Sequence, residues 1–320
     1  MDKKRIIYIT IQIVLLVLLC ITYAVSITFD YLGPSLIAII LQKPNASLLD
    51  RPPSISSKYY VEANAMEWGH AVMWRLAYSL MGISIIIICV SGCLPLKFNM
   101  LFRQPTLISV WFLLLFNVNY IANIIWVIFT NYEIVWLMVV FAVLLTCSLY
   151  GALAFAYKDL YDDIATLETS NKILLWTTRI FVHNIIAIYA TWLSIIWPLN
   201  LSLSLSYYNS FGSSTALLSG GLTISESSTL GLAIILMELL IWFTIENFLI
   251  EPYCRYTLTV YPVVIFAMSA IIANVINTGG INLVLASLLL AVSVILFGIR
   301  ILLVILNSWK SYRHGSEVPK

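Results

Sequence analysis

Charged residues are scarce in this chain of 320 residues: Asp, Glu, Lys and Arg make up 10% of it, and hydrophobic residues make up 61%. Ordinary soluble domains carry roughly 25% charged residues. The hydrophobic residues occur in long blocks, such as 6–28, 107–129 and 281–306, and each exceeds the roughly 20 residues that a helix needs to cross a bilayer. The composition therefore excludes a soluble globular protein and predicts a multi-pass membrane protein.

Cysteine and basic clusters are also scarce. The chain has five cysteines, and all fall in predicted spans or on the predicted cytoplasmic side, where an external disulfide cannot form. No His or Cys set accompanies them, so we predict no metal site and no resident cofactor. Apart from residues that flank the spans there is no basic patch, which argues against nucleic acid as a partner. The cysteines are Cys20, Cys89, Cys93, Cys147 and Cys254.

The hydrophobic blocks predict an all-α fold, a polytopic transmembrane bundle of about eight spans. A strand would leave backbone amides without partners in lipid, and the blocks lack the polar–apolar alternation of a membrane barrel. We expect one membrane domain over 1–307 and a cytoplasmic polar tail over 308–320. The predicted spans are 6–28, 71–93, 106–129, 134–157, 173–198, 229–250, 257–276 and 281–306.

Lysine and arginine placement predicts the orientation, because positively charged loops stay on the cytoplasmic side. With the N-terminus inside, the cytoplasmic segments hold eleven basic residues. The external segments hold three: Lys43, Arg51 and Lys58. An even number of spans then returns the C-terminus to the cytoplasm. We interpret the first span as a retained anchor rather than a cleaved signal peptide.

Two glycosylation sequons, at Asn45 and Asn200, fall on segments that this orientation places outside. They indicate a glycoprotein of the plasma membrane or another secretory-pathway membrane. The external segment 29–70 contains Gly33-Pro34, which predicts a helix-breaking turn, and its apolar part 35–42 predicts a short separate helix. The Ser-rich segment 199–228 predicts a flexible loop.

Charged residues inside the predicted spans are expensive and usually functional. Glu238 lies near the middle of the sixth span, and Glu246 lies two turns further in. Arg179 and His183 are four residues apart on the fifth span and so share a face. We expect an Arg179–Glu246 ion pair that joins these helices. A proton or substrate relay through Glu238 and His183 is the alternative interpretation.

Polar and aromatic residues of the third and fifth spans form a second candidate group. Asn119 and Asn123 share a helical face and can hydrogen-bond to neighbouring helices. Trp126 and Trp192 lie deep in their spans, where an indole needs a partner for its N–H group or a ligand to stack on. Helix packing and the lining of a pocket for a flat lipophilic ligand are both compatible with these positions.

Several of these spacings resemble one family, the tryptophan-rich sensory proteins related to the translocator protein (TspO-like proteins). Asn119-x3-Asn123-x2-Trp126 is similar to the signature of the family's third helix. Trp74-x3-Tyr78, preceded by Trp68, resembles the pattern of the preceding helix. In the fifth span the similar residues are Trp176, Arg179, Tyr189, Trp192 and Asn200.

The resemblance covers about 68–200, with a fainter continuation to about 276, and is closest to larger multi-span members of the family. It implies a helical bundle with an aromatic pocket for tetrapyrroles, sterols or similar lipophilic compounds. Carried over by position, Asn123, Trp126, Tyr189 and Trp192 would line that pocket, and Asn119 is a further candidate.

Three functions are compatible with these features. The first is a non-enzymatic membrane protein that binds a small lipophilic ligand. The second is an auxiliary subunit packed against another membrane protein. The third is a proton-coupled transporter acting through Glu238, although no internal repeat of the kind transporters show is present. Catalysis is not expected, because His183 is the one His in a predicted span and no Asp falls in one.

Overall fold

The computed structural model describes residues 3–40, 61–63, 67–102, 105–132, 134–207 and 222–313. Across these residues the chain is all-helical, with no strand, as the sequence predicted. Two of the helices, α5 and α6, each contain a wider π-helical turn, at Arg179–Asn184 and at Ile245–Leu249. The helices are α1 Lys3–Ile40, α2 Glu67–Cys93, α3 Val110–Asn131, α4 Val135–Ser170, α5 Lys172–Tyr207, α6 Ile224–Leu249, α7 Glu251–Cys254, α8 Val260–Val275 and α9 Gly280–Arg313.

Within the described residues, seven helices are long and apolar enough to cross a membrane, and α8 is an apolar helix of 16 residues. The chain is therefore built to be embedded in a membrane. The helices coincide with the predicted spans in position, but several extend beyond them. The predicted turn at Gly33-Pro34 is wrong, because α1 continues without a break to Ile40. The predicted separate helix at 35–42 is, as far as residue 40, part of α1.

Three other helices extend beyond the predicted ends of their spans. α4 continues through the acidic segment after residue 157, where Lys158 and Asp162 form an i,i+4 ion pair of 3.0 Å. α5 continues to Tyr207 into the predicted loop, and α9 continues to Arg313 into the predicted tail. Hydropathy marks where a helix leaves lipid, whereas backbone hydrogen bonds and side-chain pairs continue the helix into water. The segment 208–221 lies outside the described residues.

Local sequence signals set several helix ends. The side chain of Ser109 accepts a hydrogen bond from the Phe112 N–H at the start of α3. Asn171 separates α4 from α5, and its side-chain oxygen accepts from the Leu174 N–H at 3.1 Å. Thr223 and Glu226 form a capping box at the start of α6. Gly279 and Gly280 adopt positive φ between α8 and α9, a conformation that favours glycine.

α5 is the central helix of the bundle. In its most apolar window 67% of residues are buried, against 17% for α1 at the periphery. α5 packs on α2, α4, α6 and α8, and α1 packs mainly on α3. At the α5–α6 contact, Ser202 donates to the Ser227 carbonyl at 2.8 Å, and Gly231 lies against Ser202 with no room for a Cβ atom. Small residues of this kind let membrane helices approach closely.

The bundle has two ends, which we call the N-terminal end, where α1 begins, and the far end. At the N-terminal end, Gln12 donates to the Leu101 and Ile108 carbonyls. At the far end, Asn282 donates to the Glu62 carboxylate at 2.6 Å. Thr257, three residues before α8, accepts from Tyr157 in the N-terminal half, and Asn274 near the end of α8 donates to the Glu62 carbonyl at the far end.

Candidate functional site

A group of aromatic rings lies in the far half of the bundle, where α2, α3 and α5 meet. The Trp74 indole is at its centre, with ring centroids 5.5 Å from Tyr78, 6.0 Å from Trp126 and 6.0 Å from Tyr189. The rings of Tyr78 and Tyr189 are 6.2 Å apart. Together with Asn123, these residues form what we call the aromatic cage: Trp74, Tyr78, Asn123, Trp126 and Tyr189.

Asn123 anchors the cage to α1 and α2. Its side-chain nitrogen donates to the Tyr78 hydroxyl at 2.7 Å and to the Ser26 hydroxyl at 2.8 Å. The hydroxyl of Tyr23 donates to the Tyr78 carbonyl at 2.7 Å. A second layer of polar residues holds α1 in place, because Thr22 donates to the Asn117 side-chain oxygen. The cage is thus a fixed arrangement in which four helices take part.

Several polar atoms in and beside the cage are buried without a hydrogen-bond partner in the described chain. Among them are the Asn123 side-chain oxygen, the Trp126 indole nitrogen and the Tyr120 hydroxyl. Tyr120 is fully buried, and its ring packs edge-on against Tyr23 at 5.4 Å. A buried polar group without a partner costs about 1–3 kcal/mol. A ligand that supplies an acceptor and a donor would remove that cost.

The predicted ligand residues fall into two groups. Asn123, Trp126 and Tyr189 come together in the cage. Asn119 instead faces α4, where it donates to the Leu145 carbonyl at 2.8 Å and lies 3.4 Å from the Ser148 hydroxyl. Trp192 is fully buried in the core three residues beyond Tyr189. Ligand binding by these five residues remains a prediction.

The expected Arg179–Glu246 ion pair is wrong. Glu246 instead pairs with Arg300 of α9, with Nε and Oε1 3.2 Å apart and both side chains fully buried. Tyr261 donates to the other carboxylate oxygen at 2.7 Å. Arg300 also donates to the Asn247 side chain at 2.9 Å and to the Cys254 carbonyl at 2.9 Å. We call these five residues the ion-pair cluster; it joins α6, α7, α8 and α9.

Arg179 has a different environment from the one we expected. Its guanidinium lies 4.1 Å from the ring centre of Tyr256 and 5.0 Å from that of Trp176. It belongs to the π-helical turn of α5, as does His183, whose Nε2 lies 3.2 Å from the Ala156 carbonyl. Both side chains line a narrow cleft at the N-terminal end. The cleft is lined by Leu160, Tyr161, Ile164, Arg179, His183, Pro252, Tyr253, Arg255, Tyr256 and Thr257.

Glu251 and Arg255 form an ion pair at the N-terminal end of the bundle, outside the long apolar helices. Arg255 approaches the carboxylate with two nitrogens, at 2.7 Å and 3.2 Å, and Asn307 donates to it at 3.0 Å. Burial by itself raises the pKa of Glu251, but the hydrogen bonds from Arg255 and Asn307 outweigh burial and hold that pKa below its ordinary value. The Glu251 carboxylate is therefore a charged structural link between α7 and α9.

Glu238 is half-buried on α6, and it accepts a hydrogen bond of 2.9 Å from the Trp197 indole of α5. Its neighbours Met237 and Ile241 are exposed at the surface of the bundle. The carboxyl group therefore lies at the edge of a surface that faces lipid or another protein. His183 and Glu238 have separate partners in the described chain, the Ala156 carbonyl and the Trp197 indole, so the relay between them remains a hypothesis.

The two predicted glycosylation residues have different positions. Asn45 lies outside the described residues. Asn200 lies within α5, and its side-chain nitrogen, the atom to which a glycan attaches, is buried without a hydrogen-bond partner in the described chain. Glycosylation at either residue remains a prediction.

Several residues important to this arrangement were missed from the sequence. Arg300 lies inside the predicted span 281–306, but nothing in the sequence assigns its partner. Asp30, beyond the predicted end of the first span, lies on α1 close enough to Tyr78 and Tyr189 to interact electrostatically with both. A signal was present on α1, because Gln12, Thr22 and Ser26 are all buried along one side of an otherwise lipid-exposed helix.

Comparison of the chain with protein-family models, with curated proteins and with solved structures found no match.

Proposed function

We propose that this chain is a non-enzymatic multi-pass membrane protein that binds a small lipophilic ligand in the aromatic cage. The observation that carries the proposal is the set of unpartnered polar atoms beside clustered rings: the Asn123 oxygen, the Trp126 nitrogen and the Tyr120 hydroxyl. Ligand pockets combine mostly apolar and aromatic walls with a few placed polar groups. The cage has this composition, and its residues Asn123 and Tyr189 are fully buried.

The resemblance to the tryptophan-rich sensory proteins supports the same location. Its motifs come from three separate segments of the sequence, yet five of the residues they contain meet in one cluster: Trp74, Tyr78, Asn123, Trp126 and Tyr189. A chance set of tryptophans and tyrosines on three long helices has no reason to converge. A tetrapyrrole or a sterol is accordingly the ligand class that we propose to test first.

The proposed topology has eight crossings, with both termini in the cytoplasm of a plasma or other secretory-pathway membrane. α8 supports the eighth crossing although it has 16 residues. The segment that leads into it contacts the N-terminal half through Thr257, and its last turn contacts the far end through Asn274. The excess of Lys and Arg on the N-terminal side supports the orientation. In this arrangement the aromatic cage lies in the external half of the membrane.

Ligand titration of matched tryptophan variants tests the proposal. Protoporphyrin IX is followed by its absorbance and radiolabelled cholesterol by equilibrium dialysis, with the full chain in detergent or nanodiscs. Trp126→Ala should weaken binding of the recognised ligand more than tenfold, which corresponds to about 1.4 kcal/mol. Trp136→Ala is the matched control, because Trp136 is 57% exposed on α4. Equal affinities in both variants and in the unmodified chain would refute binding in the cage.

The position of Glu238 favours a second candidate function, that of an auxiliary subunit. A carboxyl group at the middle of a bilayer costs about 2.5–3.5 kcal/mol when ionised, and Glu238 is half-buried beside exposed Met237 and Ile241. A partner helix with a basic residue would offset that cost. A photocrosslinker placed at Met237 should then capture a transmembrane peptide containing Lys or Arg, and Glu238→Gln should abolish the capture. Crosslinks to lipid alone would refute this candidate.

A further inference from the structure

Two cysteine thiols meet where α1 packs against α2. The Sγ atoms of Cys20 and Cys89 lie 3.6 Å apart, although the two residues are 69 positions apart in the sequence. Both cysteines are free and partly buried. Cys93, one helical turn after Cys89, is exposed instead, as is Cys147 on α4. The fold thus brings two thiols together across a helix interface and leaves two exposed cysteines for comparison.

The thiol contact continues a close approach of the two helices. The Tyr23 hydroxyl donates to the Tyr78 carbonyl at 2.7 Å, and it lies against Gly82, where there is no room for a Cβ atom. Tyr23 follows Cys20 by three residues, and Gly82 precedes Cys89 by seven, so each of these pairs shares a helical face. The backbone contact at Gly82 therefore holds the two thiols opposite each other.

Exposed apolar side chains flank both thiols. Ile21 follows Cys20 on α1, and Val90 follows Cys89 on α2, and both of these apolar side chains are exposed on the surface of the bundle. Exposed apolar surface on a helix that is long enough to cross a membrane faces lipid or another protein. The thiol pair therefore lies at the lipid-facing edge of the bundle, where a reactant dissolved in the membrane can reach it.

We propose that Cys20 and Cys89 are a modification site, at which a lipid hydroperoxide oxidises the two thiols to a disulfide that ties α1 to α2. A disulfide brings its sulfur atoms to about 2 Å, so the pair has about 1.5 Å left to close. Rotation about the two Cα–Cβ bonds can supply a movement of this size. The inference is independent of the aromatic cage and goes beyond the proposed function.

The oxidation takes place in two steps. One thiol sulfur attacks an oxygen of the hydroperoxide, the O–O bond breaks, and the thiol proton passes to the departing alkoxide, which leaves as an alcohol. The sulfur is then a sulfenic acid. The second thiol attacks that sulfur, the S–S bond forms, and water leaves. Two thiols have lost two electrons, and one hydroperoxide has been reduced.

The disulfide has a consequence for the stability of the bundle. In its most apolar window α1 has 17% of residues buried, the lowest share among the seven long apolar helices of the described residues. α1 packs mainly on α3 and has fewer contacts with α2. A covalent link that closes a long loop stabilises a fold mainly by constraining the unfolded chain. Oxidation should therefore raise the midpoint of thermal unfolding.

Mass spectrometry of the oxidised chain tests the site. The full chain in nanodiscs is reduced and then treated with cumene hydroperoxide, which dissolves in lipid, or with hydrogen peroxide. The chain is denatured, its remaining thiols are alkylated, and the digest is searched for a peptide pair joined through Cys20 and Cys89. Each rate is divided by the rate at which the same oxidant oxidises glutathione in buffer. We expect the normalised rate to be at least tenfold higher with cumene hydroperoxide.

Four serine variants assign the reaction to the pair. Oxidation should raise the midpoint of thermal unfolding of the unmodified chain by at least about 3 °C. Cys20→Ser and Cys89→Ser should each abolish both the linked peptide and this rise. Cys93→Ser and Cys147→Ser are the matched controls and should retain both, because these two cysteines are exposed and lie outside the thiol contact. Thermal unfolding of each reduced variant confirms that it is folded before oxidation.

Each remaining outcome overturns a part of the proposal. If Cys20 and Cys89 are still alkylated after exposed Cys93 has been oxidised, the pair is not a disulfide site. A linked peptide that joins Cys89 to Cys93 instead would refute the pairing. Equal normalised rates with the two oxidants would refute a hydroperoxide from the lipid phase. If the linked peptide forms and the unfolding midpoint does not rise, the disulfide does not tie α1 to α2.

Discussion

The aromatic cage and the ion-pair cluster both contain buried polar groups, but the two differ in how those groups are paired within the described chain. In the ion-pair cluster the charge of Glu246 is met by Arg300 and Tyr261, and Arg300 reaches three further oxygens, on Asn247, Cys254 and Arg255. In the cage, the amide oxygen of Asn123 and the indole nitrogen of Trp126 have no hydrogen-bond partner in the described chain.

This difference separates a structural role from a binding role. A buried ion is strongly destabilising unless an opposite charge pairs with it, and in the ion-pair cluster the Glu246 carboxylate and the Arg300 guanidinium pair with each other at 3.2 Å. A cluster of neutral polar groups can be left incomplete at a smaller cost, which a ligand can then offset. The ion-pair cluster accordingly fastens α6 to α9, and the cage offers the unused hydrogen-bonding capacity.

The largest expected effect is a loss of folding stability, and it tests whether the ion-pair cluster holds its helices together. Arg300→Met leaves the Glu246 carboxylate buried without its cation, which should destabilise the fold by about 3–5 kcal/mol. The double variant Glu246→Gln with Arg300→Met should recover a large part of this loss, because no unpaired charge remains. Unfolding in detergent, followed by circular dichroism or thermal shift, measures both changes. A single variant as stable as the unmodified chain would show that the pair does not hold α6 to α9.

Asn119 and Asn123 both lie on α3, so substituting each in turn tests which of them belongs to the ligand site. Asn123→Ala removes hydrogen bonds to Ser26 and Tyr78, and each bond in a membrane helix is worth about 0.6 kcal/mol. It should also weaken ligand binding roughly tenfold, or about 1.4 kcal/mol. Asn119→Ala removes the bond to the Leu145 carbonyl and should lower stability alone. Equal losses of ligand affinity in the two variants would place Asn119 in the site as well.

The pH dependence of stability tests the Glu251–Arg255 link. The pKa of Glu251 is lowered in the folded chain from its ordinary value of 4.5. The link therefore stabilises the fold fully above the unfolded-state pKa and is lost as pH falls through the lower, folded-state value. The difference in melting temperature between the unmodified chain and Glu251→Gln should be largest near neutral pH and should shrink below about pH 4. A difference that grows on acidification would contradict the lowered pKa.

The smallest expected effect concerns the surface of α6. Glu238→Gln keeps an oxygen that accepts the Trp197 N–H, so stability should change by no more than about 0.5 kcal/mol. Ligand affinity at the cage should also be unchanged, because Glu238 is not part of it. A proton-coupled transporter acting through Glu238 would instead lose uptake in this variant, and that result would favour the transport function over simple ligand binding.

Helix content and the approximate positions of the helices could be predicted from the sequence, because lipid leaves the backbone few alternatives. The ends of the helices could not. Residues 158–170 and 308–313 are polar, which shows that they leave the membrane but not that the helix stops there. Gly33-Pro34 illustrates the same point, since α1 continues past this pair to Ile40.

Side-chain partners required the tertiary structure. The sequence predicted Arg179 as the partner of Glu246, whereas the structure pairs Glu246 with Arg300. The rotation of each helix about its axis decides which arginine faces the carboxylate, and the sequence does not give that rotation. The spacing of Asn119 and Asn123 predicts a shared face, but a difference of about 40° between i and i+4 positions turns one towards α4 and the other towards α1 and α2. Trp74 became the centre of the cage through helix packing that no local pattern encodes.

Native mass spectrometry of the full chain, extracted gently from its own membrane, tests the central claim most directly. We expect an adduct of one small lipophilic molecule per chain, retained in Trp136→Ala and lost in Trp126→Ala. The adduct's mass would also identify the ligand class. A chain that carries no small-molecule adduct, and that instead co-purifies stably with another membrane protein, would contradict ligand binding in the cage and favour the role of an auxiliary subunit.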